Sequence, residues 1–269
     1  MTKLSVNINK VALLRNARSL DLNLPDILEA AGVIIRAGAG GITVHPRPDQ
    51  RHIRYDDAYA VSKLIRSEFK GIEYNIEGNP FTGKYMEIVT DLKPDQATLV
   101  PDEIGANTSD HGWELTEKNI ERLGPVIKEL KKNGIRVSLF MDPQPEKGAE
   151  AKKIGADRIE LYTEPYARAF RKKENLQPTL EKYKKCAKSA VDVGLEVNAG
   201  HDLNLKNLGL FCREVANIAE VSIGHALIAE ALFAGLENAV KQYLKILSQI
   251  NPPPARDAFR QSRRRIKGE

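Results

Sequence analysis

Three of the five histidines close short apolar runs. His45 ends Gly41-Ile-Thr-Val, His201 ends Glu196-Val-Asn-Ala-Gly, and His225 ends Val221-Ser-Ile-Gly. Imidazole is the side chain that most readily gives and takes protons near neutral pH. Three of them delivered from distant segments therefore point to acid–base chemistry. The first of these runs opens into His45-Pro-Arg47-Pro-Asp-Gln-Arg51-His52-Ile-Arg54. Its prolines stiffen a turn from which three arginines project, and the planar fork of arginine donors matches phosphate or carboxylate. Gly200-His201 and Gly224-His225 add a second anion-binding signal. Glycine lets the backbone approach a ligand closely, and the N–H groups of a following helix favour negative charge. Glu73, Glu77 and Glu160 lie within strand-like runs. A buried carboxylate must be paired or hold its proton more tightly, which makes each a candidate base. Thr108 lies in a polar loop, Gly105-Ala-Asn-Thr-Ser-Asp-His111-Gly, of the sort that closes over a ligand. In the same stretch His111 reads as a surface residue and Trp113 as packing.

Parallel strands would bring such residues together, because their C-terminal ends converge on one face. The hydrophobic pattern predicts strands over 4–9, 41–45, 71–77, 96–101, 136–142, 158–163, 196–200 and 221–225. Helical patterns fall near 25–37, 56–69, 82–92, 117–133, 146–154, 177–193, 204–212 and 226–248, and the connection 164–178 has room for one more. Eight strand–helix units fit a (β/α)8 TIM barrel with extra helical elements. An open dinucleotide-binding sheet would place glycines after its first strand, and Lys10 to Arg18 contains none. Residues 1–250 read as one barrel domain. Pro252-Pro253-Pro254 then ends the last helix and leads a basic tail over 251–269.

The chain has 269 residues, 42% hydrophobic and 29% charged, which suits a folded domain rather than a disordered one. No apolar run approaches the ~18 residues of a membrane span, and the N-terminus lacks the apolar core of a signal peptide. The net charge of +5 is concentrated in the tail, where six basic residues between Arg256 and Lys267 face Asp257 and Glu269. Basicity is thus not a property of the barrel, and neither a nucleic-acid nor a membrane partner is expected. Cys186 and Cys212 belong to no CxxC pair and read as structural thiols in a reducing cytoplasm.

With Val6-Asn-Ile-Asn-Lys-Val-Ala-Leu-Leu-Arg-Asn-Ala-Arg18, Gly41-Ile-Thr-Val-His-Pro-Arg47 and Arg51-His-Ile-Arg54 assembled, the chain resembles the pyridoxine 5′-phosphate synthase family. Val137-Ser-Leu-Phe-Met-Asp142, Val197-Asn-Ala-Gly-His201 and Ile223-Gly-His225 extend the likeness, which runs from about residue 4 to 248. The resemblance implies a homo-oligomeric barrel, an octamer by family likeness. Its reaction would condense 3-amino-2-oxopropyl phosphate with 1-deoxy-D-xylulose 5-phosphate, losing water and inorganic phosphate. It implies no metal and no organic cofactor. By the same resemblance His45 and Glu73 are proton acceptors, His201 is a proton donor, and Glu160 stabilises transition-state charge. Arg47, His52 and Thr108 would hold the deoxyxylulose phosphate, as would Asn9 and Lys10, which stand where many members have Asp-His. Asn7, Arg18, the backbone of Asp202, Gly224 and His225 would hold the amino-oxopropyl phosphate. Asp202 and Ser19 each stand where glycine is usual. The spacing around Ile-Glu favours Glu73 over Glu77.

Two other readings use the same residues. Histidines and glutamates at several strand ends suit a metal-dependent sugar-phosphate isomerase or hydrolase on the same barrel, although no HExxH or HxxEH spacing supports it. The arginine-rich tail suits a scaffold or nucleic-acid-binding protein.

Overall fold

The computed structural model describes residues 1–18, 22–105 and 108–250. Eight parallel strands pair in chain order: β1 (Lys3–Asn7), β2 (Gly41–Val44), β3 (Glu73–Gly78), β4 (Gln96–Leu99), β5 (Arg136–Met141), β6 (Arg158–Leu161), β7 (Glu196–Gly200) and β8 (Ile218–Ile223). β8 returns to β1 and closes the expected (β/α)8 barrel. Around it run α1 (Asn9–Asn16), α2 (Ile27–Arg36), α3 (Tyr55–Glu68), α4 (Tyr85–Leu92), α5 (Glu117–Lys132), α6 (Gly148–Lys153), α7 (Glu164–Lys172), α8 (Leu176–Asp192), α9 (Leu208–Glu214), α10 (His225–Ala234) and α11 (Leu236–Ile250). Asp26 caps α2 by accepting from the N–H groups of Leu28 and Glu29, and Thr116 caps α5 by accepting from that of Asn119.

The structure differs from the sequence reading in three ways that bear on the site. Several strands stop one or two residues early, so His45 and His225 sit just past the strands rather than on them. α1, where the sequence pattern predicts no helix, fills the first strand–helix connection as the unit's extra helix. The last helix is two helices, because Gly235 adopts φ +78°, a left-handed conformation that interrupts the α-helix. The helix allowed for within 164–178 is α7. Ser19 and the tail 251–269 lie outside the described residues.

The strands alternate strictly. Val6, Ile42, Ile76, Leu99, Leu139 and Leu161 are fully buried in the core between barrel and helices. The intervening positions face the barrel axis and are mostly polar, with Phe140 of β5 an apolar exception beside His201. Thr43 Oγ1 lies 2.8 Å from Ser5 Oγ and accepts from Ser222 Oγ (3.2 Å) and Asn75 Nδ2 (3.3 Å). Thr98 Oγ1 donates to Asn75 Oδ1 at 3.0 Å. At the N-terminal end of the barrel, Gln96 Oε1 accepts from Arg136 Nε and Arg158 Nη1, and Glu73 pairs with both arginines. A hydrogen-bonded column thus replaces the branched apolar side chains that more often fill such barrels. On the β1–β4 side its polar groups find partners in neighbouring strands, whereas Ser138 Oγ and the Asn198 side chain are buried without a hydrogen-bond partner among the described residues.

Candidate active site

A cavity of about 760 Å³ opens where the strands end. Asn7, Asn9 and Lys10 reach it from β1 and the start of α1. His45, Arg47 and His52 reach it from the segment after β2, Glu160 from β6, and Thr108 from the segment after β4. His201 and Asp202 follow β7, and Gly224 with His225 precedes and begins α10. All but two of the residues to which the family resemblance gives a role therefore meet in one place.

The exceptions are Glu73 and Arg18. Glu73 is the first residue of β3 and sits at the opposite end of the barrel, in salt bridges to Arg136, Arg158 (3.3 Å) and Lys3 (3.6 Å). Burial opposes its charge, but the two arginines outweigh burial and hold its carboxyl below the ordinary range. Glu77, four residues on, lines the cavity in its place. Even spacing puts both glutamates on the inward face of β3, and only depth along the strand separates them. Arg18 is exposed beyond the end of α1 and does not line the cavity.

The acid–base groups occupy contrasting environments. The backbone N–H of His45 donates to Asn9 Oδ1 at 2.9 Å, fixing the residue at the strand end. Burial, then the charges of Arg47, His52 and Arg51, push its imidazole well below the usual range, so the ring is neutral. Glu77 Oε2 lies 3.8 Å from His45 Nδ1 and accepts from Asn7 Nδ2 at 3.2 Å. Burial, with Asp102 adding, lifts the Glu77 carboxyl to about 8, and burial with Glu77 does the same to Glu160. Glu160 Oε2 is buried with no hydrogen-bond partner among the described residues. His201 differs from His45. Burial again opposes its charge, but hydrogen bonding and charge from Asp202 outweigh burial and raise its pKa. One cavity thus holds a neutral imidazole, two carboxyls that hold protons near neutrality, and an imidazole that favours its charged form. Such a set can move protons in both directions.

Two flanks of the cavity suit anions. On one side, Arg47 pairs with Asp102, which also accepts from Ser109 Oγ at 2.8 Å, and Lys10 stands nearby. Burial, Arg51 and Arg47 lower the Lys10 pKa, and burial, Lys10 and Arg51 bring His52 down to about 4. These mutually repelling groups would be relieved by a bound dianion. α1 holds this segment in place. Asn16 Nδ2 donates to the carbonyl oxygens of His52 (2.6 Å) and Arg51 (3.1 Å), and Arg15 grips Asp57 of α3 with two hydrogen bonds. On the other side, Gly224 and His225 present the N-terminus of α10. A Cβ on Gly224 would come within 3.1 Å of the Asn7 side chain, so glycine allows the two segments to meet.

The backbone N–H of Asp202 is already engaged, donating to Thr163 Oγ1 at 3.2 Å, whereas its side chain meets His201. The sequence reading weighed Glu77 as a candidate base but preferred Glu73, and it gave no place to Asp102, or to Phe170 and Lys206 at the rim. Alternation counted towards the C-terminal end of β3 points to Glu77. Asp102 carries no local signal, since it is recognisable only by the arginine it meets across the barrel mouth. His111 is exposed beside Asp110, and the Trp113 indole donates to the Leu99 carbonyl from a buried position.

Among the described residues no helix is long and apolar enough to cross a membrane, and no three His, Cys, Asp or Glu side chains group as metal ligands. A family model described as "Pyridoxal phosphate biosynthesis protein PdxJ" matches residues 4–249. A pyridoxine 5′-phosphate synthase from Flavobacterium johnsoniae is 53% identical over 249 residues, covering 92% of this chain and all of that protein. Another, from Christiangramia forsetii, is 52% identical over 247 residues with the same coverage. Among solved structures, a tryptophan synthase from M. tuberculosis superposes with a TM-score of 0.60 at 12% identity, over 91% of this chain and 92% of that one. At that identity the likeness concerns the barrel alone.

Proposed function

Because this chain belongs to the PdxJ family of pyridoxal phosphate biosynthesis proteins, we propose that it performs the pyridoxine 5′-phosphate synthase reaction with the residues gathered at its barrel mouth. It is an enzyme that condenses 3-amino-2-oxopropyl phosphate with 1-deoxy-D-xylulose 5-phosphate, releasing inorganic phosphate and water. Amine and ketone must join, a phosphate must leave, and carbon–carbon closure and aromatisation follow. Each step moves protons, so several acid–base groups serve it better than one nucleophile.

His45, neutral because it is buried among cations, acts as a proton acceptor. Glu77 takes the place of Glu73 as the second acid–base group, since it lies in the cavity 3.8 Å from His45 and, holding its proton near neutrality, gives it first and accepts it back. His201 donates protons, and Glu160, whose Oε2 is buried without a partner among the described residues, faces developing positive charge. Arg47, His52, Lys10, Asn9 and Thr108 hold the deoxyxylulose phosphate. Asn7, Gly224 and His225 hold the amino-oxopropyl phosphate at the α10 N-terminus. The observation that carries the reading is the pairing of these opposed acid–base groups with two anion-binding flanks in one cavity.

Self-association into a homo-oligomer is part of the proposal. Leu13 and Leu14 of α1 and Leu232 and Phe233 of the neighbouring α10 are exposed, which suits burial against another copy. Cytoplasmic residence fits Cys186 and Cys212, both unpaired and buried, with burial first among the causes that lift their thiols to about 11 and about 12.

Incubation with both phosphates, followed by absorbance and mass, should reveal pyridoxine 5′-phosphate, with activity unaffected by chelator. His45→Ala, Glu77→Gln and His201→Ala should each lower turnover by at least ~100-fold. Near wild-type turnover in any of the three would remove that residue's role, and absence of product in the wild type would remove the function.

A further inference from the structure

His201 has a partner at each ring nitrogen. Nε2 lies 3.0 Å from Thr108 Oγ1 on the cavity side, and Nδ1 lies 2.7 Å from Asp202 Oδ2. Neighbouring residues in a strand point to opposite faces. Here they meet because the chain turns immediately after β7. The Leu203 N–H donates to the Gly200 carbonyl at 2.7 Å, so His201 and Asp202 are the two central residues of a tight turn. The turn is anchored on both sides. Thr163 Oγ1 donates to the Gly200 carbonyl (2.9 Å) and accepts from the Asp202 N–H (3.2 Å), and Asn207 Nδ2 donates to the Asp202 carbonyl (3.3 Å). The ring itself packs against Phe140 and Tyr162, with centroids 6.3 and 5.9 Å away.

We propose that Asp202 is a positioning residue that clamps the His201 ring through Nδ1 and so presents Nε2–H to the cavity as the proton-donating atom. The arrangement is a histidine–carboxylate dyad in which the carboxylate never touches substrate. When Nε2 gives its proton to a bound oxygen, the imidazole is left neutral with its remaining proton on Nδ1, still hydrogen-bonded to Asp202. Solvent must then supply one proton to Nε2 before the next turnover. The other titratable groups around the ring are Glu160 from β6, Asp102 after β4, Tyr162 after β6 and His45 after β2. Glu160 and Asp102 act in the same direction as Asp202, whereas Tyr162, raised to about 12, and the neutral His45 carry no charge. Asp202 is the only one of these groups hydrogen-bonded to the ring, so its removal is the change the ring should feel most. A glycine here, as the resembled family commonly carries, would leave Nδ1 without this partner.

The inference rests on the reading of His201 as donor, and its test separates the two. In the unliganded full-length enzyme, the His201 ring is titrated by nitrogen-15 NMR, with its signal assigned by loss in His201→Gln. Asp202→Asn keeps an acceptor but removes the charge, and Asp202→Gly removes both. The His201 midpoint should move to lower pH in both variants, with the wild-type tautomer kept in Asp202→Asn. In the turnover profile the alkaline limb should move the same way, with kcat reduced about tenfold at pH 8 in Asp202→Asn, nearly restored below pH 6, and KM unchanged. An unchanged midpoint in Asp202→Asn overturns the clamp. A midpoint that falls while the alkaline limb stays in place overturns the donor role that the clamp is proposed to serve.

Discussion

Glu73 and Glu77 share a strand and a face, yet about 13 Å of strand rise separates them. One pairs with the buried Arg158 and the partly exposed Arg136 at the N-terminal end of the barrel, and the other meets His45 in the cavity. Glu73→Gln should therefore change stability rather than chemistry. Removing one partner of a buried ion pair costs about 3 kcal/mol or more, which chemical denaturation would reveal, while kcat should change by less than about threefold. The pH dependence follows from the depressed Glu73 pKa. A carboxyl held below its ordinary 4.5 contributes stability above that value, and the contribution is lost as pH falls through the folded pKa. The variant should lack this part of the acid-side loss in an unfolding series. The residue types at the site were legible in the sequence, because histidines, arginines and paired glycines at strand ends have few bland explanations together. The choice between two equivalent glutamates was not, because local spacing gives a side chain's face but not its depth.

At the scale of elements, the strand–helix rhythm was readable because apolar runs and helical periodicity differ in period. α1 escaped because it is short and its exposed face carries Leu13 and Leu14, which blur its amphipathic pattern. Yet it is α1 that fastens the arginine-bearing segment through Asn16 and Arg15. Glycines that look alike in sequence also part company here. A Cβ on Gly200 would lie 1.9 Å from the Ser222 carbonyl oxygen, so β7 and β8 could not keep their approach. Gly200→Ala should cost about 2 kcal/mol or more in urea unfolding and, by displacing His201, lower kcat as well. Gly124, inside α5, has open space beyond its chain neighbours, but Pro125 follows and its ring crowds a preceding Cβ in helical backbone, so Gly124→Ala should gain less than the ~1 kcal/mol of an ordinary helical position in urea unfolding.

Across the whole molecule, most outward strand side chains are apolar and most inward ones polar, so the barrel is held by its helical jacket around a largely polar axis. The jacket has an uncovered face. Phe233 is 95% exposed and Leu232 70%, and the adjacent α1 exposes Leu13 and Leu14. Leu232→Glu combined with Phe233→Glu should shift the protein to smaller species in light scattering, since charge at a buried apolar contact opposes association; an unchanged mass would place the contact elsewhere. Sequence alone determined the barrel, the family resemblance and most of the site's residues, because hydrophobic period and residue type are local properties of the chain. Only the tertiary structure decided which glutamate enters the cavity, that Asp202 turns its side chain to His201 and its N–H to Thr163, and that Asp102 holds Arg47. Those pairings depend on strand register and loop closure between segments far apart in sequence, which no local pattern encodes.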